Sequence, residues 1–128
     1  LAVAAAREAF PTWRGLSPSE RAGHLLNLAG LIDDHAEELM ELEATDVGKP
    51  ISNAAWEIPF AANIIRHAAY LAQTTPTGRT VNLTNSGSSD PHHCYTVNEP
   101  VGVVGAIVPW YAPMTASSFR RLNLQVLF

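Results

Sequence analysis

Apolar residues recur at helical spacing through the first part of the chain, then give way to strand-like alternation and a final uncharged run. Ala2 to Phe10 is Ala-rich, and alanine is the best helix former, so a short helix is predicted there, ended by Pro11. Ser17-Pro18-Ser19-Glu20 reads as a capping box, with Ser17 as N-cap, Pro18 at the first helical position and Glu20 three residues on. Leu25, Leu28, Ala29, Ile32, Ala36, Leu39 and Met40 then follow on one stripe, with Arg21, Asp33, Glu37 and Glu41 on other faces. The pattern predicts one long helix stopped by Gly48 and Pro50. A third helix is predicted from about Ser52 to about Gln73, burying Ile58, Ala61, Ala62, Ile65, Ala69 and Ala72. Pro59 belongs in its first turns or kinks it.

After a linker from Thr75 to Arg79, two alternating runs, Thr80 to Thr84 and His92 to Asn98, flank the polar stretch Asn85 to Pro91. This is the signature of a long hairpin. Thr80, Asn82 and Thr84 fall on one face, Val81 and Leu83 on the other, so it is expected to be half exposed and to need a partner at its edge. Val101 to Val108 alternates β-branched residues with Gly and Ala and carries no charge, which suits a strand covered on both faces. Gly102 and Gly105 suggest close approach of another backbone or a ligand. Pro109 ends the strand, and Pro113 biases Ala112 toward extended geometry, leaving Tyr111 in a short stiff loop. Such a Pro-Trp corner suits the place where an α/β sheet meets a ligand, and equally a buried strand and turn without chemistry. A buried parallel strand needs neighbours that these residues do not supply, so Val103, Val104, Ile107 and Trp110 are expected to be exposed in the isolated chain.

Composition narrows the classes. A hydrophobic content of 47% is that of a globular protein, and a net charge of −4 gives no electrostatic reason to expect nucleic acid. No apolar run approaches the length of a membrane span, and Arg7-Glu8 interrupts the N-terminal apolar stretch too early for a signal peptide. The chain opens on Leu1 rather than Met, so an incomplete N-terminus is expected. Cys94 is the single cysteine, which excludes an internal disulfide and suits a reducing compartment. His92-His93-Cys94 invites a metal reading, but alternation puts His93 opposite the other two, and two ligands do not close a tetrahedral site, so no metal is expected. His24, His35 and His67 are scattered on helices as surface or half-buried residues.

Several segments together resemble the aldehyde dehydrogenase superfamily. They are Ala9-Phe10 with Trp13, Ser19-Glu20-Arg21, the leucine-rich helix, Asp46-Val47-Gly48-Lys49-Pro50 and Ala68 to Ala72. Above all comes Glu99-Pro100-Val101-Gly102-Val103-Val104 running through to Pro109-Trp110. The resemblance implies an α/β fold: N-terminal helices (1–75), a β-hairpin used for subunit pairing (79–99), and the first strand of an incomplete Rossmann-like cofactor-binding domain with a divergent tail (100–128). It implies oxidation of an aldehyde to a carboxylic acid with NAD or NADP, in a cytoplasmic homo-oligomer. In such enzymes a Cys thiolate attacks the aldehyde carbon, a hydride passes to the nicotinamide, and a Glu base assists thioester hydrolysis. By the resemblance, that Cys and Glu lie downstream of these residues, and Cys94 is a small hydrophobe in the hairpin rather than the nucleophile.

Ile107, Val108, Pro109 and Trp110 match positions lining the nicotinamide side of the family's cofactor cleft. Tyr111 occupies the place of the turn Asn whose amide helps hold the oxyanion. A tyrosine sets its one O–H farther out, behind a ring that fills the space of the aldehyde, so ordinary aldehyde oxidation at this turn is not expected. Two other classes fit less of the chain. One is a non-catalytic module pairing with full-length homologues through the hairpin. The other is a helical adaptor, which leaves Val101 to Val108 unexplained.

Overall fold

The computed structural model describes residues 1–74, 78–81 and 93–118. In chain order these form α1 (Ala2–Gly15), α2 (Pro18–Asp34), α3 (Ala36–Val47), α4 (Ile51–Thr74), β1 (Thr80–Val81) and β2 (Cys94–Tyr95), with a helical turn over 113–118.

α1 runs through Pro11 instead of stopping there. The proline removes one amide donor, but α1 buries none of its residues, so water can serve the carbonyl left without a partner. Its end is tied to the rest of the molecule by Trp13, whose ring lies 6.0 Å from that of His24, and by Arg21, whose Nη1 donates to the Leu16 carbonyl at 2.5 Å. The capping box at α2 forms as the sequence predicts: the Glu20 amide donates to Ser17 Oγ at 3.3 Å, and the Ser17 amide to Glu20 Oε2 at 2.7 Å. The hydrogen bond from the Ser17 hydroxyl, and then that from its amide, hold the Glu20 carboxyl below its ordinary value of 4.5. That contribution to stability is present above pH 4.5 and is lost as pH falls through the lower native value. Ser17→Ala removes the side-chain N-cap of α2 and should cost about 1 kcal/mol in urea unfolding at neutral pH.

The single long helix expected up to Gly48 is two. His35 (φ −109°, ψ 20°) leaves the helical region between α2 and α3. In a straight helix Asp33 would stand over Glu37 and Asp34 over Glu38, two like-charge pairs at i,i+4. Beyond the break α3 packs against α4, and His35 Nδ1 lies 3.4 Å from Glu38 Oε2. Gly48 ends α3 in the left-handed region (φ 76°), the conformation in which glycine carries no penalty.

The core is the α2–α4 seam. Ala22, Leu25, Ala29 and Ile32 of α2 meet Ile58, Ala62, Ile65, Ala68 and Ala69 of α4, with Leu39 and Met40 of α3 packed at the side. The abundance of alanine lets the two helix backbones approach closely. Of the stripe expected on α4, Ile58, Ala61, Ala62, Ile65 and Ala69 are buried and Ala72 is half-buried. Pro59 is the ninth residue of α4 rather than part of its first turn, and it sits on the exposed side of the helix. Arg66 pairs with Asp33 across the seam.

β1 and β2 are antiparallel, with Thr80 opposite Tyr95 and Val81 opposite Cys94. The ladder extends one step outward, the Thr96 amide donating to the Arg79 carbonyl at 2.8 Å and the Arg79 amide to Thr96 Oγ1 at 2.9 Å. Gly78 is where a side chain cannot fit: a Cβ there would collide with the Thr96 carbonyl oxygen. The rest of the expected hairpin, from Asn82 to His92, lies outside the described residues.

Val101 to Val108, expected as a strand, has no ladder partner among the described residues and is an extended segment. It keeps the period of two even so: Gly102, Val104, Ala106 and Val108 are half-buried, while Val101, Val103, Gly105 and Ile107 are exposed. Gly102, at φ +90°, departs from strand geometry. A strand exists only through its neighbours' amides and carbonyls, and without them the sequence sets alternation alone. Val103, Ile107 and Trp110 are exposed as expected, whereas Val104 turns inward and is half-buried. Replacing Ile107 and Trp110 by lysine and serine should lower the light scattering of the concentrated chain, because it breaks up this apolar surface.

Candidate functional site: the Pro-Trp-Tyr corner

The extended segment ends in a turn at Trp110 and Tyr111, and the chain then enters the helical turn over 113–118. Pro113 stands at its first position, where the missing amide costs nothing and the fixed φ is already helical. The Ala116 amide donates to the Ala112 carbonyl at 2.9 Å, and Ser118 Oγ donates to the Met114 carbonyl at 2.9 Å. Met114 packs against the α2–α4 core and so anchors the corner to the helices.

Ile107, Val108, Pro109, Trp110 and Tyr111 follow one another in the chain and make up this corner. Val108 and Pro109 are half-buried and fix the backbone, while Ile107, Trp110 and Tyr111 point outward, at 89%, 65% and 70% exposure. The corner therefore offers a flat apolar surface, Ile107 and Trp110, beside one phenolic O–H. It offers no cation among these residues for a phosphate group. Cys94 is half-buried in β2, and the neighbouring His93 ring packs 5.7 Å from Tyr95. His92 lies outside the described residues. Among the described residues no three His, Cys, Asp or Glu side chains converge as a metal site would require. No helix of the described residues is long and apolar enough to cross a membrane.

Behind the corner, the helical turn forms one wall of a groove of about 500 Å³, whose apolar floor includes Leu28, Leu31, Leu39, Ile65 and Met114. His35 and Glu38 stand at its edge. The groove does not include the corner residues themselves.

One charged cluster escaped the sequence reading. Lys49, just past the glycine that ends α3, places Nζ 2.5 Å from Glu43 Oε1 and 2.5 Å from Glu57 Oε2, joining α3 to α4. The side chains of Lys49, Glu43 and Glu57 are 9%, 2% and 12% exposed. Burial, the largest single influence, lowers the lysine pKa, but the hydrogen bonds and charges of Glu43 and Glu57 outweigh it, so Lys49 titrates above the usual 10.5. Glu43 Oε2 is buried without a partner. The only sequence signal was a lysine directly after a helix-stopping glycine, and spacings of six and eight residues match no local side-chain pairing rule.

The chain as a whole is similar to known proteins. The aldehyde dehydrogenase family model matches residues 1–122. The chain belongs to the aldehyde dehydrogenase family. An aldehyde dehydrogenase of Aspergillus niger is 42% identical over 114 residues, covering 88% of this chain and 22% of its own length. The mitochondrial benzaldehyde dehydrogenase of Antirrhinum majus is 39% identical over 122 residues, covering 93% of this chain and 22% of its own. Among solved structures, the NAD-dependent aldehyde dehydrogenase of Sinorhizobium meliloti superposes with a TM-score of 0.82 at 39% identity, covering 97% of this chain and 24% of its own. PnpE, solved in complex with nicotinamide adenine dinucleotide, gives 0.83 at 33% identity, covering 99% and 25%. The chain thus spans about a quarter of the length of the aldehyde dehydrogenases it matches. These solved relatives are aldehyde dehydrogenases with a Rossmann-like fold.

Proposed function

We propose that this chain is an N-terminal fragment of an enzyme that oxidises an aldehyde to its carboxylic acid with NAD or NADP, and that its 128 residues do not turn over aldehydes by themselves. The observation that carries this is the match over residues 1–122 combined with coverage of only about a quarter of the relatives. The corner suits one part of the cofactor: Ile107 and Trp110 would lie against the nicotinamide ring, with Val108 and Pro109 holding the backbone under them. When bound, the nicotinamide would accept the hydride leaving the substrate carbon. Nothing in the corner would grip the pyrophosphate, so ring placement without phosphate anchoring is its contribution. Tyr111 would stand where the reacting oxygen is to be held, and its bulk works against that role.

Purified chain mixed with NAD or NADP and simple aldehydes should produce no reduced cofactor above background. Clear turnover proportional to chain concentration would overturn the proposal. A reducing, cytoplasmic setting is part of the same reading, supported by the lone unpaired Cys94.

A second reading has one observation in its favour. β1 and β2 pair only with each other among the described residues, and Val81, Tyr95 and Val97 are exposed beside those edges. A hairpin of this kind would add to a sheet of another subunit, whether a second copy or a full-length homologue. Co-purification with a full-length relative supports this reading, and strictly independent migration removes it.

A further inference from the structure

We draw no further inference here: the strongest candidate, the apolar groove between α2, α3, α4 and the helical turn over 113–118, floored by Leu28, Leu31, Leu39 and Met114, is an unpartnered face, and nothing in the structure shows what covers it.

Discussion

A full-length enzyme carrying this segment should oxidise simple aldehydes about 10²–10³-fold faster once Tyr111→Asn is introduced, the factor associated with one oxyanion donor, about 2.7–4 kcal/mol. The tyrosine ring is 70% exposed in this chain, so none of these residues holds it by packing. An asparagine there would carry its N–H donors close to the backbone and free the volume of the ring. The gain should appear in kcat and leave the KM for the cofactor nearly unchanged, since Ile107 to Trp110 are untouched. Tyr111→Phe separates bulk from hydroxyl. If the O–H contributes nothing, Tyr111→Phe matches the parent rate. Equal rates for all three proteins would show that this turn does not hold the oxyanion.

Lys49→Met should destabilise the chain by about 3–5 kcal/mol, because it leaves two carboxylates buried between α3 and α4 without their cation. Chemical denaturation at neutral pH is the measurement. The triple variant Glu43→Gln, Glu57→Gln, Lys49→Met should recover most of that loss, since exchanging a whole buried ionic cluster for neutral groups costs far less than removing one partner. The pH dependence has a definite sign. A pKa raised above 10.5 in the native state gives a stabilisation fully present below that value, and lost as pH climbs through the native one. The difference between parent and Lys49→Met should thus hold steady through neutral pH and shrink in the alkaline range as the ammonium is lost. A variant as stable as the parent would mean that the cluster is solvated in solution.

How legible the chain was depended on the range over which each signal acts. The capping box at Ser17 and the stripe from Ile58 to Ala69 are decided within a few residues, and both are present in the structure. Pro11 does not stop α1, which buries none of its residues, so the carbonyl left without an amide is open to water. The break at His35 carried no Gly or Pro, and beyond it α3 packs on α4, a contact that no local signal encodes. The family resemblance reached the corner through Pro109-Trp110, yet no spacing rule pointed to Lys49 as the link between Glu43 and Glu57.

The helical character of residues 18–74, the stripe from Ile58 to Ala69 on α4 and the alternation of Val101 to Val108 were determined by the sequence alone, because each follows from local periodicity and side-chain chemistry, whereas Leu28 of the α2 stripe is exposed. The direction of α3, the pairing of Lys49 with two distant carboxylates and the anchoring of the corner by Met114 were decided only by tertiary structure. These depend on which surfaces meet in space, and burial turns such meetings into large energies that no short stretch of chain encodes.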